Sequence, residues 1–294
     1  MPVTALVSVK SVGVTTSALG LSLASKNPTL LAECDPAGGT IRAGLLGGKV
    51  DAGIGLYHLA RAERTGPEAL AHAFASHLWH LDEAGHRKLL PGLTDPAQAA
   101  ALARTWPALA DVLQVMAQQA GHDVFIDGGR LALEAGRLHP VFTPAALLYR
   151  ADLVLLVVRG TEQSLTLARH VIGPLRGGLG ENGSGADALG LLLIEEGSFK
   201  AHQVSESLGV PVAAALPYAP DVTYYLSSGG RPPRGYGRSP FLRHARTAAE
   251  QIGALAARRR LQQQYPPAAA PQLAGILQRL AEQRPAAEHH ARGE

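Results

Sequence analysis

A single cysteine, Cys34, stands in 294 residues, so the chain can close no disulfide of its own and has no cysteine pair for an iron–sulfur cluster. A reducing, cytoplasmic setting is expected from that scarcity. No charged n-region opens the sequence, and the longest apolar run, around residues 153–158, is far too short to cross a bilayer. The chain is therefore expected to be soluble. It has no G-x-S-x-G, hence no nucleophile elbow of the hydrolase type. Its twelve histidines are scattered: His77, His80 and His86 lack partners at metal-ligand spacing, and His289 and His290 form only a doublet near the end, so no zinc site is expected.

Net charge is also small, formally +3, but it is unevenly placed. Between residues 231 and 260 lie eight arginines (Arg231, Arg234, Arg238, Arg243, Arg246, Arg258, Arg259 and Arg260) against one acid, Glu250, a surplus of seven positive charges. Such a segment suits non-specific DNA or another anionic surface, and equally a solvated arginine-rich helix.

What the chain does have is a series of short apolar runs alternating with amphipathic stretches. Residues 4–10, 29–35, 123–127, 151–158, 188–194 and 210–216 read as buried strands, with a weaker strand at 87–90. Helical patterns are expected at 17–24, around Ile41, Leu45 and Leu46, around 54–60, at 68–78, after Asp95 as N-cap, and at 106–119, 162–172, 199–208 and 241–262. Residues 177–185 read as a glycine-rich flexible connection. This alternation predicts an α/β fold: a doubly wound, mostly parallel sheet with helices on both faces.

The organising stretch is the first thirty-five residues. A strand leads through Ser11, Val12, Gly13, Val14, Thr15 and Thr16 into a helix, the frame in which backbone N–H groups and a helix dipole meet a phosphate. The second strand ends in Glu33-Cys34-Asp35-Pro36, and the strand at 123–127 ends in Asp127 before two glycines. Parallel strands ending in acids beside such a loop form a ligand crevice.

On Lys10, Gly13, Thr15, Thr16 and Glu33-Cys34-Asp35-Pro36 the chain resembles the MinD/ParA group of P-loop ATPases, whose loop reads K-G-G-x-G-K-[ST]-[ST] and whose second strand ends in D-x-D-P. Two departures stand out: the loop is one residue shorter than the pattern, and Val14 occupies the place of the phosphate-gripping lysine. The G-V-T-T loop and E-x-D-P-A-G-G strand end are similar to an actinobacterial, TadZ/CpaE-like subgroup found with Tad-type pilus or secretion genes. The resemblance implies ATP or ADP with Mg²⁺ held by residues 10–16, Thr15 and Asp127 on the metal side, Asp35 positioning water, Lys10 reaching the nucleotide across a homodimer, and Pro217 and Tyr218 near the base. Losing one charge-assisted phosphate contact costs roughly 1.5 to 3 kcal/mol. Weak binding can survive that, whereas hydrolysis is expected to be weak or absent, because the missing lysine would stabilise charge on the transferred group.

The same residues also fit inherited strand-end polar groups with no ligand. At the level of function, the resemblance implies a localisation or regulatory factor acting through protein partners, with a partition-type DNA-binding ATPase as the alternative; a metabolic ligase or reductase subunit is disfavoured for want of a cysteine pair or a second-substrate motif. Residues 1–262 are expected to form one P-loop domain. Residues 263–294 are expected to hold a Pro/Ala-rich linker, a short amphipathic helix and a flexible tail. The helix, with Leu273, Ile276, Leu277 and Leu280 on one face, has only Arg279 and Arg284 as bases, too few for stable anchoring in an interface, so membrane contact is expected to be at most transient.

Overall fold

The computed structural model describes residues 1–10, 12–183 and 185–264, so the expected C-terminal linker, helix and tail lie outside the described residues. The chain divides into two compact units, 1–256 and 257–294, and the first holds the whole sheet.

The chain opens with β1 (Val3–Ser8), α1 (Val14–Ala24) and β2 (Thr29–Glu33). It continues through α2 (Leu59–Thr65), α3 (Pro67–Ser76), β3 (Trp79–His80), β4 (Arg87–Leu90), α4 (Ala99–Leu102) and α5 (Trp106–Gln118). Then come β5 (Asp123–Arg130), the short hairpin β6 (Leu133–Glu134) and β7 (Arg137–Leu138), α6 (Ala145–Arg150), β8 (Leu153–Arg159) and α7 (Glu162–Asn182). The series closes with β9 (Leu189–Glu195), α8 (Ala201–Leu208), β10 (Val212–Pro217), α9 (Pro220–Ser228) and α10 (Pro240–Gln264).

Eight strands form one sheet in the order β10-β9-β8-β1-β5-β2-β4-β3. All neighbours pair in parallel except the two-residue edge strand β3, which runs antiparallel to β4. β1 sits centrally, with β5 on one side and β8 on the other, so the topological switch of this doubly wound sheet lies at the end of β1, where the glycine loop begins.

Alternation along the strands feeds two cores. Val3, Ala5 and Val7 of β1 and Val154, Leu156 and Val158 of β8 join Trp106, Leu109 and Leu113 of α5 and the α7 stripe of Leu165, Ala168, Val171, Ile172, Leu175 and Leu179. Leu6 of β1 and Leu155 and Val157 of β8 join Leu19 and Leu21 of α1 and Phe241, Ala245 and Ile252 of α10. Gly20 makes the second packing possible, because a Cβ there would come within 2.7 Å of the Phe241 ring.

Two local expectations fail for identifiable reasons. The flexible connection expected at 177–185 is helix as far as Asn182. Each interior glycine costs about 1 kcal/mol of helix propensity, but Leu175 and Leu179 are fully buried, and burying a leucine is worth roughly 1.5 to 3 kcal/mol. The helix expected around Ile41, Leu45 and Leu46 is a run of turns. Gly47 and Gly48 both take left-handed φ values, 57° and 75°, and the Arg42 guanidinium bonds the carbonyls of Val50 at 3.0 Å and Ile54 at 2.6 Å, fixing a loop instead.

Candidate phosphate-binding site

Ser8 ends β1 and donates from Oγ to the Lys10 carbonyl at 2.6 Å. Gly13 then takes φ 101°, ψ 33°, a left-handed step that a side chain would strain. α1 begins immediately after it, at Val14, three residues earlier than the sequence pattern suggests. The first turn is fixed by Ser17 N donating to the Gly13 carbonyl at 2.9 Å and Thr16 Oγ1 donating to the same oxygen at 3.1 Å. This helix end carries neither a side-chain cap nor an acid in its first turn. Its orphan N–H groups and positive dipole end therefore suit an external anion. Val14, only 6% exposed, packs in the same core as Ala18 and Leu19, so the place corresponding to the family's lysine is filled by an apolar core side chain.

The acids converge behind the loop. Thr15 Oγ1 donates to Asp127 Oδ2 at 2.6 Å. Asp127 is completely buried, and its other oxygen accepts the Gly129 N–H at 3.0 Å. Burial pushes the Asp127 carboxyl up to about 7; the Thr15 and Gly129 hydrogen bonds oppose that rise, and the neighbouring charges of Glu33 and Asp35 add to it. β5 does not stop at Asp127 but continues through Gly128 and Gly129 to Arg130. Gly129, at φ 64°, is required because a Cβ there would fall into the Asp35 carboxylate. Asp35 lies just beyond β2, accepts the Ala37 N–H at 2.8 Å, and has its pKa raised by burial against the pull of that bond and of Arg130.

Glu33, opposite Asp127 in the β2/β5 register, has a role that the strand pattern did not reveal. It is 1% exposed. Oε1 accepts the N–H groups of Thr40 at 2.7 Å and Ile41 at 2.9 Å, and Oε2 accepts that of Gly92 at 2.8 Å. Gly39 and Gly92 make room for it: a Cβ on Gly39 would lie 2.6 Å from Oε2, and one on Gly92 would lie 2.9 Å from Cγ. Burial raises its pKa, and the three N–H groups and Arg42 oppose that rise. Between these acids, the Cys34 thiol is buried and pushed well above its usual range, which removes it from nucleophilic or redox chemistry.

The remaining candidates are spread along the same sheet end. Lys10 lines a cavity of about 410 Å³ together with Val12, Arg130 and Arg159. Asp35 lines a different cavity, of about 470 Å³, with Pro36, Pro96 and the exposed Phe142; Val9 and Arg130 border both. Pro217 ends β10, paired with Glu195, and Tyr218 follows it, 51% exposed. Neither lines either cavity. Ser11 lies outside the described residues. The structure thus joins Thr15 to Asp127 and sets Asp35 beside them, while Lys10, with Val12 of the same loop, lines the cavity that Arg130 and Arg159 border. Arg130 and Arg159 went unremarked in the sequence as site residues, since neither belongs to a motif.

No protein-family model and no curated protein sequence matches the chain. Solved structures do. The cell division ATPase MinD of Pyrococcus furiosus superposes with a TM-score of 0.62 at 17% identity, covering 87% of this chain and 100% of that one. MinD of Pyrococcus horikoshii OT3, complexed with Mg-ADP, gives 0.61 at 18% identity, covering 88% and 98%. A ParA family ATPase of Chlorobium tepidum TLS gives 0.59 at 14% identity, covering 85% and 97%. At these identities the likeness establishes the fold, which is that of the MinD/ParA P-loop NTPases.

Proposed function

We propose that this chain is a nucleotide-responsive localisation or regulatory factor of MinD/ParA type, binding ATP or ADP weakly and turning it over slowly or not at all. The observation that carries the reading is the Thr15–Asp127 pair directly behind a left-handed Gly13 and an uncapped helix N-terminus. The donors fit the ligand. Thr15 and Asp127 present hard oxygens 2.6 Å apart, the type Mg²⁺ takes beside phosphate and water ligands. Among the described residues no group of three or more His, Cys, Asp or Glu could hold a metal by itself, so Mg²⁺ would arrive with the nucleotide. When bound it would supply charge neutralisation at the phosphates. The resemblance gives Asp35 the ordering of water, and Lys10 is the cation left to the loop by the Val14 replacement.

Homodimerisation, protein partners in a Tad-type pilus or secretion machine and recruitment to the membrane through partners belong to the same reading and rest on the resemblance at residues 10–16 and 33–39, while a cytoplasmic location rests on the scarcity of cysteine. Among the described residues no helix is long and apolar enough to cross a membrane. A second reading, non-specific DNA binding, is favoured by one observation: Arg231, Arg234, Arg238, Arg243 and Arg246 are all exposed. Retention on DNA that falls steeply with salt would select it.

Calorimetric titration with ATP, with and without Mg²⁺, tests the main reading. Binding should be detectable and strengthened by Mg²⁺, and Thr15→Ala should remove the Mg²⁺ increment. Val14→Lys should tighten binding about tenfold or more, the worth of one charge-assisted phosphate contact, once the buried position yields. Failure of both wild type and Val14→Lys to bind would leave the loop a relic.

A further inference from the structure

The β6–β7 hairpin, the C-terminal half of α7 and Tyr149 of α6 line a cavity of about 500 Å³, a volume in the usual range for small-molecule sites. No residue of the glycine loop borders it, nor do Glu33, Asp35 or Asp127. Two charges of opposite sign stand at it, Arg137 on the hairpin and Glu181 in the last turn of α7. Both are exposed, and neither forms a salt bridge among the described residues.

The lack of pairing has local causes. Glu134 is the residue opposite Arg137 in the hairpin, but its carboxylate lies toward His139, with Oε2 3.8 Å from Nε2. The tip between them is a tight two-residue turn, Ala135 at φ 48° and Gly136 at φ 76°, a left-handed pair that sets the path of β7 from its first residue, Arg137. On the other wall, the last turn of α7 contains no base, so Glu181 and the negative end of the helix dipole add to each other. The Tyr149 phenol feels both charges: burial raises its pKa, Glu181 raises it further and Arg137 opposes the rise.

The face of α7 that lines the cavity is bare. A Cβ on Gly173 or Gly177 would meet no atom within 4 Å, whereas one on Gly178 would come within 3.2 Å of the Tyr149 hydroxyl. No neighbour therefore demands the first two glycines, although glycine is a poor helix former. They leave the floor of the cavity clear.

We propose that this cavity binds a free α-amino acid with an aliphatic side chain, its carboxylate on the Arg137 guanidinium, its ammonium on Glu181 and its side chain on Leu138, Pro174 and the Tyr149 ring. A zwitterion answers both charges at once, and a guanidinium matches a carboxylate with two parallel hydrogen bonds. A ligand of a single charge would leave either Arg137 or Glu181 unanswered. Spanning the two, the amino acid would tie the hairpin to α7, and that hairpin follows directly on β5, the strand that carries Asp127.

Calorimetric titration of the full chain with L-leucine tests this, with isocaproate, which lacks the amine, and isoamylamine, which lacks the carboxylate, as controls. Leucine should bind with a Kd below about 1 mM, within the range open to so small a ligand, and both controls should bind at least about tenfold more weakly. Arg137→Gln and Glu181→Gln should each weaken leucine binding by about tenfold or more. Gly177→Leu puts a side chain on the bare floor and should abolish binding with a melting temperature no lower than wild type, since leucine is the better helix former. The two glutamine variants change exposed side chains and decide the matter should Gly177→Leu fold poorly. No binding of leucine at millimolar concentration, either control binding as tightly as leucine, wild-type affinity in either glutamine variant, or retained binding in folded Gly177→Leu would overturn the proposal.

Discussion

Two regions at the same end of the sheet handle charge in opposite ways. Under the loop, Glu33 and Asp127 are buried and supplied with backbone or hydroxyl donors. At the ends of β1 and β5, Lys10 and Arg130 stand exposed, and at the end of β8 the partly exposed Arg159 pairs with Glu196 at 2.8 Å. The acids are structural parts of the fold as well as candidate ligands, whereas among the described residues the only salt bridge these cations make is that of Arg159 with Glu196. Charge that the core has already organised cannot be removed cheaply; charge held in reserve can.

The sharpest way to break this contrast is Glu33→Ala, which would orphan the buried N–H groups of Ile41 and Gly92 and the partly buried one of Thr40. Each unsatisfied buried donor costs about 1 to 3 kcal/mol, part of which is returned by removing a desolvated carboxylate, so a net loss on the order of 4 kcal/mol is expected in chemical denaturation. A loss under about 1 kcal/mol would mean that the loop at 39–41 reorganises freely.

Next comes Asp127, whose folded pKa is raised to about 7 from 3.8. Between those values the folded chain keeps a proton the unfolded chain has lost, so this contribution to stability is fully present below about pH 4 and is lost as pH rises through about 7. In nucleotide-free, chelated buffer, Asp127→Asn should flatten the decline in stability across that window by about 3 kcal/mol, since each tenfold difference in proton affinity between the folded and unfolded chain is worth about 1.4 kcal/mol and relaxation absorbs some of it. Parallel wild-type and variant curves from denaturant melts would refute the assignment. The smallest effects are expected on the cationic side: Lys10→Gln and Arg130→Gln should each change stability by less than about 0.5 kcal/mol. A larger loss in either melt would show that these cations are structural after all.

Much of the fold could be read from the sequence because parallel strands buried on both faces are plain apolar runs, and all six long ones appear where expected. What escaped depended on distant contacts. Glu33 is held by Gly92, 59 residues away, a partnership no local pattern encodes. The helix through Gly177 and Gly178 exists because Leu175 and Leu179 are buried, so tertiary packing overrode glycine content. The short pieces β3, β6, β7 and α6 have too few residues to show a period. At the site, Thr15, Asp127 and Asp35 stood out by motif, but the motif gave no warning that Lys10 opens onto a cavity with Arg130 and Arg159, side chains that only the strand order brings together.

The two margins of the sheet have a bearing on assembly. One ends in β3, just two residues long; the other in β10, whose pairing slips register between Val212 and Ala214 and which closes on a proline, Pro217. Short, irregular or proline-blocked margins offer poor templates for a ladder with a neighbouring chain. Copies of this protein are thereby discouraged from growing continuous sheets, even at high local concentration.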